Sequence, residues 1–250
     1  MNGVQGVAGS NPVAPTSYMT VWLHDTPPGV RCMPLQDLPR PRAEMVERLA
    51  DGYPDASPSV LAAMSEVPRH IFTESGFWHM AYSEASLPIG YGQTLSQPAT
   101  ILRALSALEL KGGDTLLEIG SGSGYLAAVA SRICRRVYGV ERVLALVQRS
   151  RKNLDSLSVR NVLIGYGDGH FGWPAHAPYS AVLCSAFSST VPDGIAMQVI
   201  EGGLVAAPVG SGGGQEFVLW RNVSGTLVRE GTLFPCSFVP LVSGGGPVHG

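Results

Sequence analysis

The chain has 250 residues, 45% of them hydrophobic, and a formal net charge of −2. That is enough apolar material for one large domain with a buried core, and the near-neutral balance excludes a dedicated nucleic-acid binder, which shows a basic face. No apolar run reaches the ~20 residues needed to span a bilayer, and the first twenty residues lack the charged start and apolar segment of a secretory signal. Neither nucleic acid nor membrane is therefore an expected partner. Cys32, Cys134, Cys184 and Cys236 form no CxxC pair, so they read as reduced thiols of a cytoplasmic protein rather than a disulfide framework or zinc site. The six histidines show no ligand spacing, and no metal is expected. With no obvious interface helix, a monomer is the default.

Along the chain, "MNGVQGVAGSNPVAPTSYMT" (1–20) has no periodicity and is rich in Gly, Pro, Ser and Asn; residues 1–38 are expected to form a disordered tail. Gly-Ser-Asn-Pro can be encoded as GGTTCGAATCC, which looks like the T-arm of a tRNA gene. Residues 1–18 are therefore expected to be a translated non-coding stretch, with the true start at Met19 or Met33. "PRAEMVERLA" (41–50) reads as an amphipathic helix. "SPSVLAAMSEV" (57–67) opens a second, with Ser57 as N-cap and Pro58 in the first helical position. "PATILRALSALEL" (98–110) is helical by its apolar spacing. Strands and helices then alternate: strands at 115–119, 136–141, 161–166 and 179–185, and helices at 125–134, 143–157 and near 192–200. Late strands follow at 203–210, 216–222 and 226–234, the last two a hairpin through Val223-Ser224-Gly225. Alternating elements imply a doubly wound, Rossmann-like α/β three-layer sandwich. Its sheet is mainly parallel, of about seven strands, with extra N-terminal helices. The domain is expected to run from 39 to 243, with a flexible tail at 244–250.

"LLEIGSGSGY" (116–125) is the strongest local signal. A buried strand ends at Glu118-Ile119, and Gly120, Gly122 and Gly124 lead into a helix. Glycines permit a sharp turn and close approach of a ligand, which should sit beyond the carboxyl ends of the strands. A tight strand–helix turn with no ligand is the plain alternative. Glu141 ends the next strand, 21 residues after Gly120, close to the ~20-residue offset at which an acid reaches ribose hydroxyls. Asp168 follows the third strand, placed to accept from an adenine amino group. Solvated strand-end acids could give this pattern, though three in succession make that a weaker reading. The third glycine comes one residue early for a dinucleotide fingerprint. The E-x-G-x-G-x-G pattern instead resembles the first motif of class I S-adenosylmethionine-dependent methyltransferases, with Glu118 near the cofactor's amino group.

"GYGQTLSQPATILRAL" (90–105) contains no Cys, His, Asp or Glu. Locally, Ser96 ahead of Gln97-Pro98 reads as a helix cap. Together with "VPRHIF" (67–72), "LPIGYGQTLSQP" (87–98), "VYGVER" (137–142), "GDGHFGWP" (167–174), "AAPVG" (206–210) and "FPCSFVPLV" (234–242), this stretch resembles the protein-L-isoaspartate (D-aspartate) O-methyltransferase family, from about Arg42 to Val242. The resemblance implies Ser96 as the active-site serine, touching substrate. It implies Gln93 and Val239 on the substrate side, and Thr94, Glu118, Gly120, Gly122, Gly124, Glu141, Asp168 and Gly169 on the cofactor side. Ser83-Glu84, "CSAFSSTVP" (184–192) and Ser237 depart from the family pattern, the last two near the substrate.

The implied reaction moves a methyl group from S-adenosyl-L-methionine to the α-carboxylate of an L-isoaspartyl or D-aspartyl residue in damaged proteins or peptides. The ester then closes to a succinimide, which starts repair. A carboxylate of pKa ~4 is already ionised at neutral pH, so the absence of a general base in 90–105 fits. Orientation and water exclusion can supply up to ~7–11 kcal/mol for well-fixed reactants. The attacking oxygen loses charge in the transition state, so neutral donors such as the Ser96 hydroxyl suit it better than an arginine clamp. Two other readings stand beside this one: a relative that methylates one aspartate of a ribosomal peptide natural product to give an aspartimide, and a non-catalytic cofactor-binding module.

Overall fold

A computed structural model of the protein describes residues 38–211, 214–244, 246 and 248. The expectations for residues 1–37 lie outside the described residues. Helices α1 (Pro39–Gly52) and α2 (Pro58–Glu66) come first, followed by strands β1 (Leu87–Gly90) and β2 (Gln93–Leu95) and helix α3 (Pro98–Ala107). Then β3 (Thr115–Ile119), α4 (Tyr125–Ala130), β4 (Arg136–Glu141), α5 (Leu144–Ser156) and β5 (Val162–Tyr166) alternate. β6 (Tyr179–Cys184), β7 (Val199–Ser211), β8 (Gly214–Val223) and β9 (Thr226–Cys236) complete the chain.

The main sheet has seven strands in the order β5-β4-β3-β6-β7-β8-β9. The first five are parallel, while β8 and β9 run antiparallel as an appended meander. This is a Rossmann-like methyltransferase fold. The central strands are nearly continuous apolar runs because both of their faces are covered. Alternation along β3 sends Leu116 into one core with the buried faces of α1 to α5, and Leu117 and Ile119 into another with Val140, Val182, Trp173 and Ile195. The second face is covered mainly by short 3₁₀ turns at Gly169–Phe171, Pro174–His176 and Asp193–Gln198.

Three expectations need correction. The helix near 192–200 is a 3₁₀ turn, after which β7 starts at Val199. Gln198 fixes this ending: its side chain accepts from Trp173 N at 2.8 Å and donates to Phe171 O and Gly194 O. α4 stops at Ala130 rather than Cys134, and the Asn161 amide collects the freed carbonyls of Ser131 and Cys134 at 2.8 and 3.2 Å. The late hairpin has a two-residue turn, Ser224-Gly225, with φ of 51° and 80° between the paired Val223 and Thr226. Positive φ at both central residues gives the turn whose twist matches the strands.

The N-terminal helices flank the core. Met45 and Leu49 of α1 and Val60, Ala63 and Met64 of α2 are buried in the cluster that holds α3 and α4. Ser57 is the N-cap residue of α2, ahead of Pro58, but its hydroxyl bonds to Ser59 Oγ at 2.8 Å instead of a helix N–H.

Candidate functional site

After β3 the chain moves outward to β4 and β5, then returns to lay β6 on β3's other edge. The carboxyl ends of β3, β4 and β6 therefore border a crevice at a switch in strand order, where open α/β sheets bind ligands. The glycine turn occupies it. Gly120, Gly122 and Gly124 have φ of 84°, 52° and 88°, a region that L side chains rarely adopt. Gly120 N and Ser121 N both donate to Val140 O, and Gly122 N donates to Glu141 Oε2 at 2.9 Å. Glu141 Oε1 accepts from Val143 N at 2.9 Å. Glu141 thus ties the turn to β4 and keeps spare lone pairs on an acid that borders the cleft.

The three strand-end acids have unlike environments. Burial pushes Glu118 well above the usual carboxylate range, and the nearby Glu141 adds to this, while a hydrogen bond from Ser185 Oγ opposes it. Glu118 Oε2 has no hydrogen-bond partner among the described residues, nor have the buried hydroxyls of Ser121 and Ser123. Burial also raises Glu141, against hydrogen bonds from the backbone of Val143, Gly122 and Arg142. At Asp168 burial is outweighed by hydrogen bonds, which hold it below its ordinary value. His170 donates to Oδ1 from its backbone N (2.9 Å) and Nδ1 (2.8 Å), and Gly244 N donates to Oδ2 at 2.6 Å.

The stretch around Ser96 is better ordered than its composition suggests. Residues 87–95 form a hairpin, β1 pairing antiparallel with β2 across Tyr91 and Gly92, whose φ values are 56° and 69°. Arg149 Nη1 holds the hairpin through Ile89 O at 2.7 Å. The cap residue of α3 is Gln97, and no side chain caps that helix. Ser96 therefore stands one residue outside the cap position, and the capping reading of it fails. It is half-buried in the gap between β2 and α3, and its carbonyl accepts from Arg69 Nη2 at 2.7 Å.

A cleft of about 50 Å³ lies between hairpin, glycine turn and C-terminal segment. Gln93, Thr94, Gly120, Gly122, Glu141, Gly169 and Val239 all line it. The same wall includes Ile89, Arg142, Ser185 and Leu241, which sequence reasoning did not single out as site residues although each lies within a stretch compared with the family pattern. Ser96, Glu118, Gly124 and Asp168 do not line it. Glu118 is buried on the α4 side of the sheet, and Gly124 begins α4 against Ser150. Asp168 precedes Gly169, where a Cβ would collide with Ile119. Val239 is clamped by an isolated β-bridge outside the strands: Phe187 N donates to Val239 O at 2.8 Å and Leu241 N to Phe187 O at 2.6 Å. A larger groove of about 1060 Å³, between residues 189–196 and β7 to β9, contains none of the sequence-predicted residues. Among the described residues no three His, Cys, Asp or Glu side chains converge as metal ligands, and no described helix is long and apolar enough to cross a membrane.

Glycine turn, strand-end acids and switched sheet define a chain of the Rossmann-like methyltransferase class. The family model described as protein-L-isoaspartate(D-aspartate) O-methyltransferase matches residues 40–246, and the chain belongs to that family. A protein-L-isoaspartate O-methyltransferase of Burkholderia mallei (strain SAVP1) is 45% identical over 208 residues, covering 82% of this chain and 64% of that relative. The counterpart in Burkholderia thailandensis is equally similar, with 63% of it covered. The chain thus spans less than two thirds of the length of these curated relatives. A solved structure named protein-L-isoaspartate O-methyltransferase superposes with a TM-score of 0.74 at 26% identity, covering 82% of this chain and 67% of that one. A Plasmodium falciparum chain assigned to the same activity, in complex with S-adenosyl-L-homocysteine, gives 0.70 at 23% identity, covering 80% and 98%; at that identity it supports the fold.

Proposed function

We propose that this chain methylates the α-carboxylate of L-isoaspartyl or D-aspartyl residues in damaged proteins and peptides, with S-adenosyl-L-methionine as donor, in the cytoplasm. One observation carries the reading: the hairpin that bears Gln93 and Thr94 meets the glycine turn, Glu141, Gly169 and Val239 in a single cleft. The residues suit such a donor. Glu141 offers lone pairs to ribose hydroxyls and Gly169 leaves room at the adenine side; Glu118, buried behind the turn and outside the cleft, acts on the donor through the turn.

When bound, the donor supplies an electrophilic methyl group. The chain's own residues orient and shield the acceptor. A carboxylate arrives ionised, so nothing in the hairpin has to remove a proton. Ser96 stands beside β2 outside the lining of the cleft; as a neutral donor it holds one carboxylate oxygen of a substrate that extends past the cleft, without the ground-state preference an arginine would impose. The cleft is far below the ~300–1,000 Å³ of typical ligand sites. Donor and peptide therefore extend past this cleft or enlarge it, and the hairpin and residues 239–242 are the walls they meet.

The deciding experiment transfers labelled methyl groups to isoaspartyl and aspartyl versions of one peptide. The isoaspartyl form should be labelled and the aspartyl form not. Equal labelling sinks the repair reading, and donor binding without any labelling favours a non-catalytic module.

A further inference from the structure

Arg69 lies in the 3₁₀ turn Arg69–Phe72, and none of its surface is exposed. Its guanidinium donates from Nε to Ala81 O at 2.8 Å and from Nη2 to Ser96 O at 2.7 Å. It also lies 5.0 Å from the centre of the Tyr125 ring. Tyr125 is the residue directly after Gly124, the last glycine of the turn. One side chain thus touches the segment before β1, the peptide of Ser96 and the residue that follows the glycine turn. The charge is buried on carbonyl oxygens and an aromatic face; the acid it feels, Glu84, is exposed. Burying an arginine this way is unfavourable unless its donors are satisfied; Nε and Nη2 are satisfied by the two carbonyls, whereas Nη1 has no hydrogen-bond partner among the described residues. The planar fork is what allows one residue to reach two carbonyls at fixed angles, which an ammonium cannot reproduce.

We propose that Arg69 is a positioning residue for Ser96, fixing the Ser96 peptide and hence the direction of its hydroxyl relative to the glycine turn. Ser96 belongs to neither β2 nor α3, so no ladder or helix bond sets that orientation. The inference rests on the methyl-transfer reading above.

The test is a double-mutant cycle on isoaspartyl methylation, with kcat, KM and donor Kd measured alongside the melting temperature. Arg69→Lys should lower kcat at least tenfold while donor Kd stays within threefold. In a Ser96→Ala background the same change should cost less than a further twofold, because its route of action is gone. A structural staple would not show that dependence on Ser96. Arg69→Lys turnover within twofold of the parent per folded molecule overturns the inference, as do losses that multiply with Ser96→Ala. If Arg69→Lys does not fold, Tyr125→Leu removes the ring against the guanidinium and is read by the same cycle: loss masked by Ser96→Ala supports the inference, and independent or absent loss overturns it. A parent chain without isoaspartyl methylation removes the functional reading and this inference with it, whereas an active parent with an equally active Arg69→Lys removes this inference alone.

Discussion

The glycine turn and the β1–β2 hairpin meet across the cleft, yet they are held by different means. A Cβ on Gly122 would stand 3.1 Å from Ile89 Cδ1, so the two walls touch. The turn is fixed by its own backbone and by the next strand, through Val140 O and Glu141. The hairpin is fixed by arginines remote in sequence: Arg149 on Ile89 and Arg69 on Ser96. The C-terminal segment is tied in the same remote way, through Gly244 on Asp168. One wall is therefore stiff by local geometry. The other is adaptable only so far as those remote contacts can be exchanged.

The largest expected effect falls on the hairpin wall. Ser96→Ala should lower methyl transfer about 10²-fold, the scale of losing one positioned donor, with donor binding within a few-fold. Single-turnover labelling beside equilibrium binding checks this. A variant that melts lower but keeps its turnover per folded molecule would return Ser96 to a structural role.

Those two modes of attachment also decide what the sequence could reveal. β3, β4 and the start of α5 were legible to within a residue, because apolar runs, glycines and strand-end acids are local signals. The E-x-G-x-G-x-G turn and Glu141 could be placed for the same reason. The hairpin at 87–95 was invisible as a hairpin: Tyr91 at positive φ is a residue no turn preference selects. The 192–200 segment misled because the Gln198 side chain satisfies two backbone groups 25 and 27 residues away, Trp173 N and Phe171 O, besides Gly194 O in its own turn. Arg69 could be quoted in "VPRHIF" as a family mark, but its reach to Ser96 spans 27 residues and no periodicity encodes it.

Next in size are changes in the stiff wall, which should be unforgiving because neighbours cannot yield. Gly169→Ala drives a methyl into Ile119 and should cost about 1–3 kcal/mol, as overpacking does, together with donor affinity. Denaturant melts and donor titration measure both. Unchanged stability would show that the loop after β5 is softer than its packing implies. Glu118→Gln should act in the opposite sense on the donor-free protein. The folded-state pKa of Glu118 is raised by burial, so the parent loses stability as pH rises from about 4.5 through that raised value. The glutamine variant escapes this loss. Its melting temperature should exceed the parent's at pH 8, by about 2–4 °C per kcal/mol recovered, and the gap should close toward pH 4.5. Donor affinity should fall in the same variant. A gap that persists at low pH would mean the gain comes from packing and not from the removed charge.

The smallest effect belongs to the C-terminal segment and tests whether the adaptable wall competes with the donor. Gly244 N donates to Asp168 Oδ2, Asp168 N donates to Gly246 O at 3.0 Å, and a Cβ on Gly167 would lie 2.6 Å from Val248 Cα. These contacts engage the acid and the loop proposed to meet the adenine, so binding there must exchange a protein hydrogen bond for a donor one. Such a bond is worth about 0.5–1.5 kcal/mol net. Ending the chain after Val242 should therefore raise donor affinity roughly 2–10-fold. Gly244→Pro removes the same N–H without shortening the chain and should reproduce most of that gain. Calorimetric titration separates the outcomes. Tighter binding in both variants makes the segment a competitor for Asp168. Weaker binding in both makes it a built part of the adenine wall, which would move Gly244 and Gly246 from the adaptable side of the cleft to the stiff one.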